Sequence, residues 1–143
     1  MKEKGIDELF YSVRRLKKEN ENFVLDLVGF FEDEYKEQVK ELEKCDIAHF
    51  YGFQPDPRPF YIEADCVVLP SYHEGMSNVL LEAAATGRPV ITSNIPGCRE
   101  SVENGKSGLL VEVKNKEMLY DAMKEMLHCS REEREQMGQT GRE

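Results

Sequence analysis

The sequence predicts an α/β fold built on a doubly wound parallel sheet of about five strands. Short β-branched runs alternate with amphipathic segments of helical period along the chain. Residues 66–92 read as strand, helix and strand within about thirty residues, which is typical of a right-handed parallel βαβ unit. The first predicted element is a helix, so we expect the first strand of such a sheet to be missing.

The central βαβ unit has clear boundaries. Residues 66–69 are apolar, β-branched and too few for a helix, which is typical of a strand buried on both faces. Residues 77–86 are rich in Ala and Leu and predict a helix that ends at Gly87, with Pro89 just beyond. Residues 90–92 predict the second strand.

The remaining helices and strands are predicted from helical spacing of apolar residues and from short apolar runs. Helical spacing of apolar residues predicts helices over residues 6–18, 32–45 and 116–128, with shorter helices over residues 58–64 and 99–102. Apolar runs predict strands over residues 23–29, 47–51 and 108–113. A turn-rich loop spans residues 52–57. The charged residues 130–143 predict a partly ordered helical tail.

Composition indicates one globular domain over residues 1–143, with 40% hydrophobic and 33% charged residues. No apolar run approaches about 18 residues, so we expect a cytoplasmic protein without a transmembrane segment. A net charge of −9 argues against nucleic acid as a partner. The four cysteines include no Cys-x-x-Cys pair, which favours reduced thiols over a metal site or disulfides.

Two carboxylates, Glu74 and Glu82, frame the loop that follows the strand at residues 66–69. Eight positions of helix rise about 12 Å, and side chains lean toward the helix N-terminus, so we expect Glu82 to point back at Glu74. Unpaired amides around Ser77, Asn78 and Val79 face the same mouth, where the helix dipole favours an anion. This arrangement fits a sugar nucleoside diphosphate. Taken alone, the pair of Glu residues would also fit a solvated helix face.

The residues around this loop resemble those of glycosyltransferase family 4. The C-terminal domain of that family carries a Glu-x7-Glu motif, a small-residue helix and a Gly-x-Pro-Val-Ile strand. The matching segments here are EGMSNVLLEA at residues 74–83, GRPVI at residues 87–91 and PGCRE at residues 96–100. The likeness runs from residue 4 to about residue 127. It implies the Rossmann-like, donor-binding domain of a GT-B enzyme that lacks its first strand and its N-terminal acceptor domain.

The resemblance also implies roles for individual residues. Glu82 would bind the ribose hydroxyls of the donor and Glu74 the hydroxyls of the donor sugar. Lys4, which precedes the first helix, would neutralise the departing phosphate; without the resemblance it reads as a frayed terminal charge. The remaining donor-binding positions are Gly75, Met76, Ser77, Asn78 and Val79 around the diphosphate, and Tyr51, Gly52 and Phe53 near the nucleobase. The last three also fit ordinary packing at the end of a strand.

The function implied is retaining transfer of a sugar from a nucleotide-sugar, with a uridine donor favoured over a guanosine donor, to a saccharide or lipid-linked acceptor. No Asp-x-Asp occurs in the chain, so we expect no metal and no cofactor. The expected partners are the nucleotide-sugar and the missing N-terminal domain or another chain, which could also place the protein at the inner membrane surface. One alternative is a non-catalytic nucleotide-binding or interaction module. Another is a flavodoxin-like signalling or structural domain.

Overall fold

Helices and strands alternate along the chain, as the sequence predicts. The computed structural model describes residues 4–29, 33–74 and 77–142. Its helices are α1 (Ile6–Lys18), α2 (Asp33–Lys44), α3 (Arg58–Glu63), α4 (Asn78–Thr86), α5 (Lys116–His128) and α6 (Arg131–Arg142). Its strands are β1 (Leu25–Val28), β2 (Ala48–Gly52), β3 (Val67–Leu69), β4 (Val90–Ser93) and β5 (Gly108–Val111). The short helix expected near residue 100 is a 3-10 helix, Arg99–Ser101.

The five strands pair in parallel, which confirms the predicted α/β class. β1 pairs with β2, and Leu25 lies opposite Ala48. β3, β4 and β5 pair in that order, with Val90 opposite both Val67 and Gly108. The unit formed by β3, α4 and β4 is therefore the predicted βαβ unit. The strands form two sheets instead of one continuous sheet, because β1 and β3 do not pair with each other among the described residues.

An open groove of about 1130 Å³ separates the two sheets. Residues of β1 line one side of the groove and residues of β3 line the other. Apolar side chains of α1 and α5, such as Leu9, Met123 and Met126, contribute to its lining. A doubly wound sheet holds its first strand near the centre, between its two halves. The groove lies between the two sheets, at the place that a central strand fills in such a fold.

Two apolar clusters lie on opposite faces of the three-stranded sheet. Ile91 belongs to the larger cluster, which is formed with α1, α5 and the β1–β2 region. Its neighbour Val90 belongs to the smaller cluster, together with Leu80 and Ala83 of α4. Successive side chains of a strand point to opposite faces, so β4 is covered on both. This explains why every residue of β4 is buried.

The charged C-terminal segment forms a helix that packs against the domain. Gly138 of α6 is buried, and a Cβ atom built on it would lie 1.8 Å from the carbonyl oxygen of Gly87. That close approach places α6 beside the end of α4. The sequence predicts a partly ordered helical tail here because the segment is highly charged. The packing was not predicted, because it depends on Gly138, and a glycine adds nothing to an apolar pattern.

The described residues include no helix that is both long enough and apolar enough to cross a membrane.

Candidate functional site

The β3–α4 loop and the start of α4 lie at the carboxyl end of β3, where parallel sheets bind their ligands. Ser77 is the N-cap of α4, and its hydroxyl oxygen accepts a hydrogen bond from the Leu80 N–H at 3.2 Å. The other amides of the first turn, those of residues 77–79, have no acceptor within the helix. They provide a local positive potential at the helix N-terminus. The predicted donor-binding residues Gly75 and Met76 lie outside the described residues.

The part of the groove lined by Lys4, Glu74, Glu82 and residues 77–79 is called the groove mouth. Glu74 lies there in a polar cluster. Its Oε1 accepts hydrogen bonds from Lys4 Nζ at 2.9 Å and from Ser71 Oγ at 2.9 Å. Ser71 is fully buried, whereas the Lys4 side chain is 50% exposed and the Glu74 side chain is 15% exposed. The fold thus brings together Lys4 and Glu74, the two residues that the resemblance assigns to the departing phosphate and to the donor sugar.

Glu82 is exposed on α4 and lines the same groove as Glu74 and Lys4. Residues 77–79 also line it, so the two carboxylates and the first-turn amides of α4 share one concave surface. Tyr61 lies beside Glu82, where burial raises the pKa of the phenol and the nearby carboxylate adds to the effect. Glu74 and Glu82 therefore line one groove, and their binding of a common ligand stays a prediction.

Tyr51, Gly52 and Phe53 lie at the carboxyl end of β2, outside the set of residues that lines the groove. Tyr51 packs against Phe60 of α3, with 4.9 Å between ring centroids, and both Tyr51 and Phe53 are exposed. Gly52 takes a positive φ of 69°, and its carbonyl oxygen accepts a hydrogen bond from the Gly29 N–H at 2.9 Å. Packing at the end of a strand accounts for these contacts, and nucleobase contact stays a prediction.

Two contacts at the site were not predicted from the sequence. Ser71 supports Glu74 directly. The Tyr72 hydroxyl donates a hydrogen bond to Glu8 Oε1, which ties the β3–α4 loop to the first turn of α1. Burial raises the pKa of Tyr72, and the bond to Glu8 raises it further. Ser71 could have been suspected from its place just after a strand, but the Glu8–Tyr72 pair spans 64 positions and has no local signal.

The chemistry available at the groove mouth is that of anion and hydroxyl binding. Helix amides and the Lys4 ammonium can receive a phosphate, and carboxylates accept hydrogen bonds from hydroxyls. Within the described residues, no group of three or more His, Cys, Asp or Glu side chains could hold a metal ion.

Comparison with known proteins identifies the family. The family model described as glycosyl transferases group 1 matches residues 1–143. A capsular polysaccharide biosynthesis glycosyltransferase, CapM of Staphylococcus aureus, is 30% identical over 145 residues, which cover 99% of this chain and 38% of that protein.

Solved structures agree on the fold. Sucrose-phosphate synthase from Thermosynechococcus elongatus superposes with a TM-score of 0.85 at 27% identity, over 99% of this chain and 37% of that chain. HepE of Anabaena, solved with UDP-glucose, superposes with a TM-score of 0.83 at 21% identity, over 99% of this chain and 40% of that chain. The chain thus spans about two fifths of the length of each of these three proteins. It belongs to the glycosyl transferases group 1 family and has the fold of the C-terminal domain of GT-B glycosyltransferases.

Proposed function

We propose that this chain is the donor-binding half of a retaining, family 4 glycosyltransferase that acts in cell-surface polysaccharide biosynthesis. The observation that carries the proposal is a single groove mouth lined by a cation, Lys4, two carboxylates, Glu74 and Glu82, and the amides at residues 77–79. Each of these groups complements one part of a nucleotide-sugar. Retention of configuration rests on the resemblance to family 4.

The diphosphate is the part of the donor that the first turn of α4 would hold. Backbone donors and the helix dipole favour an anion at residues 77–79, and Lys4 adds a full positive charge. Lys4 is paired with Glu74, but an ion pair with a half-exposed lysine contributes at most about 1 kcal/mol. A diphosphate can therefore draw the ammonium away from Glu74. Lys4 would then stabilise the negative charge that develops as the bond to the sugar breaks.

The two carboxylates would bind the hydroxyls at the two ends of the donor. Glu82 accepts hydrogen bonds from the ribose hydroxyls, and Glu74 accepts them from the hydroxyls of the sugar. Ser71 supports this assignment, because its bond to Glu74 Oε1 holds the carboxylate in place after Lys4 has moved to the phosphate. Glu74 thus has two successive partners, the ammonium in the free protein and the sugar in the complex.

A uridine nucleotide is the donor we favour, with a guanosine nucleotide second. HepE, which shares the fold, was solved with UDP-glucose. The acceptor we propose is a saccharide or a lipid-linked saccharide, because CapM is named as a capsular polysaccharide biosynthesis glycosyltransferase.

The whole enzyme, in this proposal, adds an acceptor domain and a central strand to the part described here. The groove between β1 and β3 would receive that strand, which would pair with both edges. The acceptor domain would close the cleft over the groove mouth. We place the reaction in the cytoplasm, at the inner membrane surface where the acceptor is lipid-linked.

Titration with UDP and GDP by calorimetry tests the proposal against a structural module that binds no nucleotide. We expect weak binding of UDP, its loss in Glu82→Ala, and no sugar transfer by this chain alone. Absence of binding at millimolar nucleotide would contradict the donor site. Measurable transfer by this chain would contradict the half-enzyme assignment. The alternative is a nucleotide-binding module without catalysis, which the short span of the chain favours. An assay of the complete polypeptide for sugar transfer tests it.

A further inference from the structure

A small cavity lies where the ends of β4 and β5 meet the first turn of α1. Its volume is about 10 Å³, and its lining includes Glu8, Pro70, Ser93 and residues 111–115. A cavity of about 10–15 Å³ is large enough for one water molecule. The cavity is distinct from the groove that carries the candidate donor site, although Pro70 borders both.

Two buried polar atoms border this cavity without a partner among the described residues. They are Glu8 Oε2 and Ser93 Oγ. Ser93 is fully buried, so bulk water cannot reach its hydroxyl. Buried polar groups in folded proteins are paired with protein or with ordered water. A carboxylate oxygen that only accepts and a hydroxyl that can donate are suitable partners for one water.

We propose that a single buried water bridges Glu8 and Ser93 and makes Glu8 a positioning residue for the groove mouth. The water donates a hydrogen bond to Glu8 Oε2, and the Ser93 hydroxyl donates one to the water. Glu8 Oε1 already accepts from the Tyr72 hydroxyl. The Glu8 carboxylate thereby joins three segments of the chain: the first turn of α1, the β3–α4 loop and the end of β4.

The link matters because two of the three segments that it joins, the start of α1 and the β3–α4 loop, adjoin or carry the residues of the Lys4–Glu74 ion pair. Lys4 is four residues before Glu8, and Glu74 is two residues after Tyr72. Fixing Glu8 against Tyr72 and Ser93 therefore limits how far the ammonium and the carboxylate can move apart. The Lys114 ammonium lies 5.3 Å from the centroid of the Tyr72 ring and favours the same ring position. The water is inferred from the cavity and its two polar atoms alone. Its effect on catalysis, through Lys4 and Glu74, rests on the proposed function.

A crystal structure at about 1.5 Å resolution tests the water directly. We expect a density peak within about 2.6–3.2 Å of both Glu8 Oε2 and Ser93 Oγ, which is the range for hydrogen bonds. Ser93→Ala should remove the peak or reduce its occupancy. An empty cavity, or a direct bond between Glu8 and Ser93, would overturn the proposal. So would a cation, recognised by contacts of about 2.3–2.6 Å to several oxygens.

Amide hydrogen exchange tests the positioning role. Tyr72→Phe and Ser93→Ala should each speed exchange at residues 71–74 by about fivefold or more, because local opening there becomes easier. Tyr120→Phe is the matched control, since the Tyr120 hydroxyl bonds Glu19 at the other end of α1. It should leave residues 71–74 unchanged. Equal exchange at residues 71–74 in Tyr72→Phe and in the control would contradict the role of Glu8. Both tests are made without nucleotide, so failure to bind UDP would not affect them.

Discussion

Lys4 and Glu74 form an ion pair with 2.9 Å between Nζ and Oε1, although 70 positions separate them in the chain. The pair joins the segment before α1 to the loop before α4. Lys4 and Glu74 line the same groove as residues 77–79 at the start of α4. A stable surface needs no such pair, because half-exposed ion pairs contribute little to stability. Under the proposed function, the diphosphate of the donor takes this cation.

The first prediction concerns that cation. Lys4→Gln should change the free energy of unfolding by less than about 1 kcal/mol. It should weaken UDP binding by about tenfold, because a charged partner of the diphosphate is lost. Lys36→Gln is a matched control, since Lys36 also forms a surface ion pair, 2.7 Å from Asp33. Calorimetry and urea unfolding measure both effects. Unchanged UDP affinity in Lys4→Gln would remove Lys4 from the site.

The second prediction concerns the docking of α6. Gly138→Ala should lower the free energy of unfolding by about 1–3 kcal/mol, because the added Cβ meets the Gly87 carbonyl and the helix must shift. Gly141→Ala, on the same helix, is the control. Its Cβ would lie 3.4 Å from the Ser107 Cβ, so the substitution should be neutral or stabilising by about 0.5–1 kcal/mol from helix propensity. Equal effects of the two substitutions in urea unfolding would show that α6 does not dock at Gly87.

The local elements were predictable because their signals are local. α4 begins at a Ser cap and ends at Gly87 in the left-handed conformation, as its sequence indicates. Burial on both faces was predicted for residues 66–69, but β3 is only half-buried because it lines the groove. β4 is the strand that is buried on both faces. Glu74 lies before α4, which begins at Asn78, so helix rise and side-chain direction apply only to Glu82. That both carboxylates line one groove needed coordinates.

Long-range contacts were not predictable for a physical reason. The Glu8–Tyr72 bond and the docking of α6 on Gly87 depend on how elements pack, and neither leaves a periodic pattern. The charge of α6 predicted a partly ordered helical tail, whereas α6 packs against the domain at Gly87. The division of the described strands into two sheets, with an open groove between them, also has no local sequence signal and needed coordinates.

The third prediction concerns the groove between β1 and β3. A peptide of about six β-branched apolar residues, with charged ends, should bind there and raise the melting temperature, because it can pair with both open edges and bury the groove lining. It should also slow amide exchange in β1 and β3. The same peptide with Pro at alternate positions cannot pair and should have no effect. The groove assignment fails if both peptides stabilise equally.

The fourth prediction concerns the thiols, all four of which are free. Burial raises the pKa of Cys66 to about 12, so its thiol stays protonated near pH 8. Cys98 is fully buried, and burial raises its pKa as well. Labelling of the folded protein near pH 8, where ordinary thiols react, should therefore begin at exposed Cys45. Cys66 and Cys98 should react only in denaturant.

Loss of the rapid phase of labelling in Cys45→Ser, with mass spectrometry of the labelled sites, checks the assignment. Rapid labelling of Cys98 would mean that the packing beneath the groove mouth is different.

The measurement that tests the central claim most directly compares UDP with UDP-glucose by calorimetry in three variants. Glu82→Ala should weaken both ligands by the same factor, about tenfold, since it loses bonds to the shared ribose. Glu74→Ala should weaken UDP-glucose alone, because its partner is the sugar and the freed Lys4 still meets the diphosphate. Glu132→Ala, at an exposed position of α6, should change neither. If Glu82→Ala folds normally and binds both ligands like the parent chain, the two carboxylates do not form one donor site.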